Sequence, residues 1–413
     1  EAVALRRSMA ELLGHPTWAH YAMEPKMADP ESVDKMYADL VPRVTDKAKG
    51  ELRELTDLAE ADGAERLESW DWSFYDNRQR VTDYGIDAEE VAAYFPLEQV
   101  FAGMFDITGE VFGLSYHRLD DVATWHPEVR VYEIRDRNSG NPLAVFYADL
   151  FPRQGKFGHA AAWDLVHGRG DSAGEWTRPV AAIVANFTPP SAARPSLLKH
   201  DEVTTLFHEF GHVLHMCLTT ARYALFSGAN VEWDFVEAPS QIMEHWCWKA
   251  EVLQRFASHY DSGEPIPAVM VDRLVAARDL NVGVKTLRQF FYGLLDLGMH
   301  TANGSLDLDA LYRSAWEVTG LPFPEGTFMP AGFGHIMGGY DAGYYGYMWS
   351  KVYGDDMFSV FETEGVLSPD VGSRYRDEVL APGGSRDAIE HLRAFLGREP
   401  NNDAFLEYLG LSG

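Results

Sequence analysis

Two histidines four positions apart, with a glutamate directly after the first, are the part of this sequence best equipped for chemistry: His208-Glu209-Phe210-Gly211-His212, an HExxH run. Positions four apart share one face of an α-helix, so His208 and His212 can present two imidazoles to one metal ion while Glu209 projects beside them. That is the layout of a zinc hydrolase. Catalytic zinc takes a third protein ligand and keeps one position open for water, and after two histidines a downstream carboxylate is a common third. Glu237 is the candidate. Pro239 is tolerated only in the first turn of a helix, which puts Glu237 at a helix start and Glu244 two turns further along its face. A ligand and a supporting carboxylate would then come from one helix. Glu209 lies about a third of a turn from His208, which suits a general base better than a ligand.

These side chains need elements to hold them. Asp201 and Glu202 sit where the HExxH helix would begin, and their charge suits its N-terminus. Val203, Phe207, Phe210 and Leu214 give that helix a buried stripe. Residues 1 to about 122 read as helical, with a first helix over Ala2–Leu13, four-residue apolar spacing at Met36, Leu40 and Val44, and breaks at Gly63, Pro96 and Gly113. Between about 129 and 187 the period shortens to that of strands: Val129, Val131 and Ile134, a turn at Asn138-Ser139-Gly140-Asn141, then Ala144 to Tyr147 and Val180 to Phe187. A small sheet is expected there. The strand at 180 to 187 leads into the HExxH helix through Pro189, Pro190 and Pro195. At a sheet edge it would hold an extended peptide by main-chain hydrogen bonds; inside the sheet it would not. From 201 to the end helices return. Without repeats or linkers, one compact unit is expected.

A second unusual stretch runs from Phe333 to Tyr347 and carries five glycines, four tyrosines and His335. Its phenols and imidazole are donors of the kind that stabilise an oxyanion as it forms, with His335, Tyr340 and Tyr347 as candidates. The same composition also fits a glycine-packed helix with aromatics in the core.

With 413 residues, 46% of them hydrophobic, the chain can bury a large core. A net charge of −28 argues against nucleic acid or an anionic membrane as partner, since both would be repelled at long range. Only Cys217 and Cys247 occur, too few for a disulfide framework, which fits a reducing cytoplasm. No apolar run has the length of a membrane span, and the first residues lack the apolar stretch of a signal peptide.

Taken together, the segments HEFGH, DFVEAPSQ, FGHIMGGYDAGYYGYMWSKVY, YADLFPRQGKFGHAA and VANFTPP resemble the M3 metallopeptidases, the group of thimet oligopeptidase and neurolysin. The 24 residues between His212 and Glu237 match that family's ligand spacing. The resemblance implies a mainly α, zincin-like helical metallopeptidase with a small β-sheet before the HExxH helix, covering residues 1–413. It implies one zinc ion per chain on His208, His212 and Glu237, Glu209 as general base, and transition-state contacts from His335, Tyr340 and Tyr347. Its substrates would be short unstructured peptides, cut at internal bonds in a deep channel between two largely helical halves. A peptidyl-dipeptidase or metallocarboxypeptidase of the same family is the alternative within enzymes, and a non-catalytic peptide-binding homologue the alternative outside them. Family members carry a further helical region before the equivalent of Glu1, so the resemblance also implies a fragment, a processed form or a shortened homologue.

Overall fold

Asp29 and Pro30 start a 32-residue helix, Pro30–Ala61, in the computed structural model, which describes residues 1–411. The Asp29 carboxylate accepts from the Ser32 N–H at 2.8 Å, and Pro30 occupies the first turn, where no N–H is needed. Val33, Tyr37, Leu40, Val44, Ala48, Leu55 and Ala59 form its buried stripe. That stripe packs on the helix Val282–Thr301. Both belong to the first of two units, made of Glu1–Gly85, Asp279–Trp349 and the residues from Phe405 on. Its core gathers Leu55, Phe291, Leu295, Tyr312, Trp316 and Phe333. The helix Ala2–Leu13 occupies the span expected for it, ending at Gly14 with a left-handed φ of 83°.

The second unit comprises Ile86–Arg278 and Ser350–Ala404. The chain crosses between the two units four times, and two of the crossings fall inside the helices Gly346–Glu364 and Asp403–Tyr408. The helix Leu97–Phe112 starts at Pro96 and stops at Gly113, whose φ of 67° a residue with a Cβ would resist. Seven strands follow: β1 (Leu114–Arg118), β2 (Arg130–Asp136), β3 (Pro142–Asp149), β4 (Ala161–Val166), β5 (Arg169–Gly170), β6 (Trp176–Thr177) and β7 (Val180–Val184). Five of them form one sheet in the order β1-β2-β3-β7-β4, antiparallel except for the parallel pair β3 and β7; β5 and β6 form a two-stranded ribbon.

The sheet differs from the sequence reading at β1 and β4, and it decides between the two alternatives left for β7. β1 lies inside the stretch read as helical, because its five residues directly follow the helix and carry no alternation strong enough to mark a strand. β7 is interior, paired with β3 on one side and β4 on the other, so it offers no edge to a peptide. The edges belong to β1 and β4, and β4 is absent from the sequence reading. Its pattern is blunted by Trp163 and Leu165, which point outward and are each 48% exposed, while Asp164 points inward. On the sheet's inner face Phe146 meets Phe210 of the HExxH helix with ring centroids 5.5 Å apart, which seats that helix on the sheet.

The connection from β3 to β4 is fixed by Asp149. Its carboxylate takes both arms of Arg153 at 2.6 and 2.7 Å, the Trp125 indole N–H at 2.7 Å and the Lys156 ammonium at 3.0 Å. Lys156, whose side chain is 3% exposed, also donates to the carbonyls of Asp149 and Phe151. Burial works to raise the Asp149 pKa, but Arg153, Trp125 and Lys156 outweigh it and bring it from 3.8 to about 2. A carboxyl depressed on folding stabilises fully above its unfolded pKa and loses that contribution as pH falls through its folded one. Asp149→Asn should therefore destabilise the protein by about 2 kcal/mol near neutral pH, the scale of hydrogen bonds to charged groups. The difference in Tm between parent and variant should shrink as pH drops from about 4 toward 2; a difference independent of pH would mean that the clamp acts through packing alone.

Candidate active site

The HExxH helix spans His200–Cys217. Glu202 closes its N-terminus by accepting the Lys199 N–H at 2.9 Å and ties it to the preceding segment by accepting the Thr188 N–H at 3.1 Å. Val203, Phe207, Phe210 and Leu214 are buried, as their spacing requires. The next helix, Ala238–Glu244, has Glu237 at its N-cap and Pro239 in its first turn. Gly211 lets the two helices meet. A Cβ at that position would lie 2.5 Å from the Pro239 carbonyl oxygen and 2.7 Å from the Ser240 Cα, so only glycine permits the observed approach.

That approach brings three predicted ligands together. The Nε2 atoms of His208 and His212 each lie 3.2 Å from the same oxygen, Oε2 of Glu237. All three donor atoms fall within 4.8 Å of one another, the one group of three such side chains among the described residues. The imidazoles stand nearly at right angles, 80° between planes, so their lone pairs converge from different directions. Ser240 Oγ donates to Glu237 Oε2 at 3.0 Å and fixes the carboxylate. His208 Nδ1 donates to Glu244 Oε1 at 2.7 Å, which turns Nε2 toward Glu237. Two imidazole nitrogens and one carboxylate oxygen, with an outer carboxylate setting a tautomer, are a donor set that fits a metal ion.

The electrostatics agree. Burial disfavours a charged His208, but Glu237 and Glu244 reverse this and lift its pKa well above the ordinary value. Burial also works to raise Glu237, and the two imidazoles override it and hold the carboxyl well below its usual range. A metal ion must therefore displace a proton from His208, and its affinity falls as pH falls. Glu209 behaves differently. It is 6% exposed, its Oε2 has no hydrogen-bond partner among the described residues, and burial raises its pKa against the pull of both histidines. Asp164, inward on β4, is likewise pushed up by burial to about 6, opposed by His167 and His212.

His335, Tyr340 and Tyr347 lie in the first unit, where they are gathered with one another. Tyr340 and Tyr347 stack at 5.0 Å and 8°, and His335 meets their rings at 5.7 and 6.1 Å. The packed-helix reading of this stretch holds in part: Tyr344 and Tyr345 are buried and Tyr347 packs against the core, yet 338–345 is turn rather than helix. Gly211 and Ser240 went unrecognised in the sequence. A glycine inside an amphipathic helix was the available signal for the first, since it costs about 1 kcal/mol relative to alanine unless a close approach requires it.

Residues 1–411 match the family described as Peptidase family M3. The chain is 39% identical to oligopeptidase A of Salmonella typhimurium, over all of this chain and 62% of that protein. It is also 39% identical to the thimet-like oligopeptidase of Dictyostelium discoideum, over all of this chain and 64% of the relative. It thus spans less than two thirds of the length of these relatives. Among solved structures, a PZ peptidase A with inhibitor 2 shares the fold at a TM-score of 0.53 and 13% identity, covering 99% of this chain and 62% of that one.

Glu237→Ala should abolish tight metal binding in a chelator competition, because two histidines alone leave the site one ligand short. Gly211→Ala should weaken metal retention at least about tenfold and cost about 1–3 kcal/mol of stability, as the added methyl drives the Glu237 helix away. Unaltered metal retention in Gly211→Ala would show that the close approach does not set the third ligand.

Proposed function

The chain belongs to peptidase family M3, and from that premise we propose that it is a zinc-dependent oligopeptidase that hydrolyses internal bonds of short, unstructured peptides. The observation that carries this reading is the shared Glu237 oxygen, 3.2 Å from both Nε2 atoms, beside the buried carboxylate of Glu209, whose Oε2 has no hydrogen-bond partner among the described residues. His208, His212 and Glu237 would hold one zinc ion, which supplies Lewis acidity toward water and toward a peptide carbonyl. Glu209 takes a proton from the attacking water and returns it to the departing amine, and a carboxyl whose pKa burial has raised is matched to both steps. Proton transfer needs no covalent intermediate with the protein.

His335, Tyr340 and Tyr347 donate to the oxyanion as charge develops on it. The open edge of β4 gives an extended peptide main-chain partners without demanding one side chain, which suits a broad peptide specificity. A net charge of −28 disfavours nucleic acid as a competing partner. Both cysteines are unpaired and buried, in keeping with a reducing cytoplasm. No described helix is long and apolar enough to cross a membrane.

Zinc-loaded protein should cleave a blocked, quenched oligopeptide internally, and chelation should stop it. Release of dipeptides alone would move the assignment to a peptidyl-dipeptidase, and absence of metal-dependent cleavage would favour a peptide-binding homologue. Glu209→Gln should keep its zinc and lose about 10²–10⁴-fold in turnover, the range for general acid–base catalysis; near-normal turnover with zinc in place would remove Glu209 from the chemistry. Tyr347→Phe keeps the ring that stacks on Tyr340 and deletes only the hydroxyl. It should lower kcat and kcat/KM together, by about 10²-fold, with little change in Tm. A lower Tm with normal turnover would assign Tyr347 to packing.

A further inference from the structure

We propose that Asp296 is the positioning residue of the Gly- and Tyr-rich segment, holding the turn Ala342-Gly343-Tyr344 so that the rings of Tyr340 and Tyr347 are fixed before substrate arrives. The inference rests on the reading that those phenols serve the reaction.

Asp296 sits on the helix Val282–Thr301 and is 1% exposed. Its Oδ1 accepts the Ala342 N–H at 2.9 Å, and its Oδ2 accepts those of Gly343 and Tyr344 at 2.9 and 3.0 Å. Three successive backbone donors converging on one anion form a nest, a geometry the backbone adopts only in a tight turn. Ala342 accordingly has a φ of 50°, in the left-handed region that a Cβ disfavours. A buried carboxylate with these donors is strongly directional, since losing one leaves charge unsolvated.

The carboxylate is itself oriented. His300 Nδ1 donates to Oδ1 at 2.8 Å, and its Nε2 faces the Arg6 guanidinium at 3.1 Å; the guanidinium only donates, so Nε2 must accept. Arg6 continues to Asp341 at 3.3 Å, and Trp18 donates to the same carboxylate at 2.7 Å. Lys26 takes the Ala342 carbonyl at 2.8 Å. The turn is therefore held by its N–H groups from one side and by a carbonyl from another. Its effect reaches the rings through Tyr344, whose N–H Asp296 holds and whose ring contacts His335 and Tyr347, each at 5.1 Å. Asp296 reaches the reaction only through these residues.

Asp296→Asn keeps the side-chain shape and removes the anion, turning an amide N–H₂ toward backbone donors. In zinc-loaded protein kcat should fall about 10–100-fold with KM nearly constant, as expected for displaced catalytic groups. In a Tyr347→Phe background the same substitution should cost less than about threefold, because the group it positions is already gone. Equal losses in both backgrounds, or a lower Tm with kcat unchanged, would overturn the proposal while leaving the oligopeptidase reading intact. Amide exchange provides a readout that needs no turnover: the amides of 342–344 should exchange at least about tenfold faster in Asp296→Asn. Unchanged protection overturns the positioning role even if the protein proves to cleave nothing. Should Asp296→Asn fail to fold, His300→Gln removes one of the four donors and should show the same background dependence and faster exchange at smaller scale; no effect on either would overturn the proposal.

Discussion

The candidate site depends on one close approach: two helices brought near enough, across Gly211, for a single carboxylate oxygen to face two imidazoles. The HExxH spacing alone places His208 and His212 on a common face, but it cannot place a third ligand that lies 24 residues beyond His212. The distance between helix axes does that. With no Cβ at Gly211, the backbone at Pro239 and Ser240 moves in to van der Waals contact, and Glu237, at the N-cap of its short helix, arrives at both Nε2 atoms together. A larger residue would leave each helix intact and dissolve the site. The sheet has the complementary task, holding the opposite face of the HExxH helix through Phe146 and Phe210, so that the helix cannot yield when its neighbour presses on it.

Buried carboxylates recur in this molecule, and their environments divide them by role. Asp149 and Asp296 are each saturated with donors: Asp149 by Arg153, Trp125 and Lys156, Asp296 by three backbone N–H groups and His300. Such groups are structural fasteners, because a buried charge with every lone pair used tolerates little movement of its partners. Glu209 differs from both. It is buried to a similar degree with one oxygen left without a donor, which costs stability and keeps the carboxyl ready to accept a proton. Asp164 Oδ1 and Asp355 Oδ2 also lack a hydrogen-bond partner among the described residues, so what sets Glu209 apart is its place next to His208 in the ligand cluster.

Much of this was legible in the sequence, for reasons that can be stated residue by residue. Local rules sufficed where the cause is local: Pro239 fixed the helix start at Glu237, Gly113 and Pro96 bounded their helix, and the apolar stripe of the HExxH helix predicted its burial. The same rules failed where the cause lies elsewhere in the chain. β4 escaped because its outward residues are Trp163 and Leu165 and its inward one is Asp164, which inverts the pattern that marks a half-buried strand. The interior position of β7 depends on that missed neighbour. Asp296 escaped because nothing near it in sequence signals a ligand; its partners lie 46 to 48 positions later and use only their backbone. Ala342 carries no sequence mark of its left-handed conformation either, since glycine or asparagine would be the usual sign.

The charge distribution at the ligand cluster explains why such a site belongs with a metal ion rather than with protons alone. Three carboxylates, Glu209, Glu237 and Glu244, surround two imidazoles inside a protein whose net charge is already −28. Like charges so close raise one another's pKa, and Glu237 and Glu244 both add to the upward push that burial gives Glu209. Protonating His208 offsets a single charge, and it occupies the Nε2 that faces Glu237. A divalent cation offsets two charges at the point where Glu237 and both imidazoles converge, and it frees His208 to remain the neutral tautomer that Glu244 selects. With such an ion bound, Glu209 would sit near a positive centre instead of among anions. Glu209 and Glu244 would thus share one electrostatic balance with the ion that His208, His212 and Glu237 could hold.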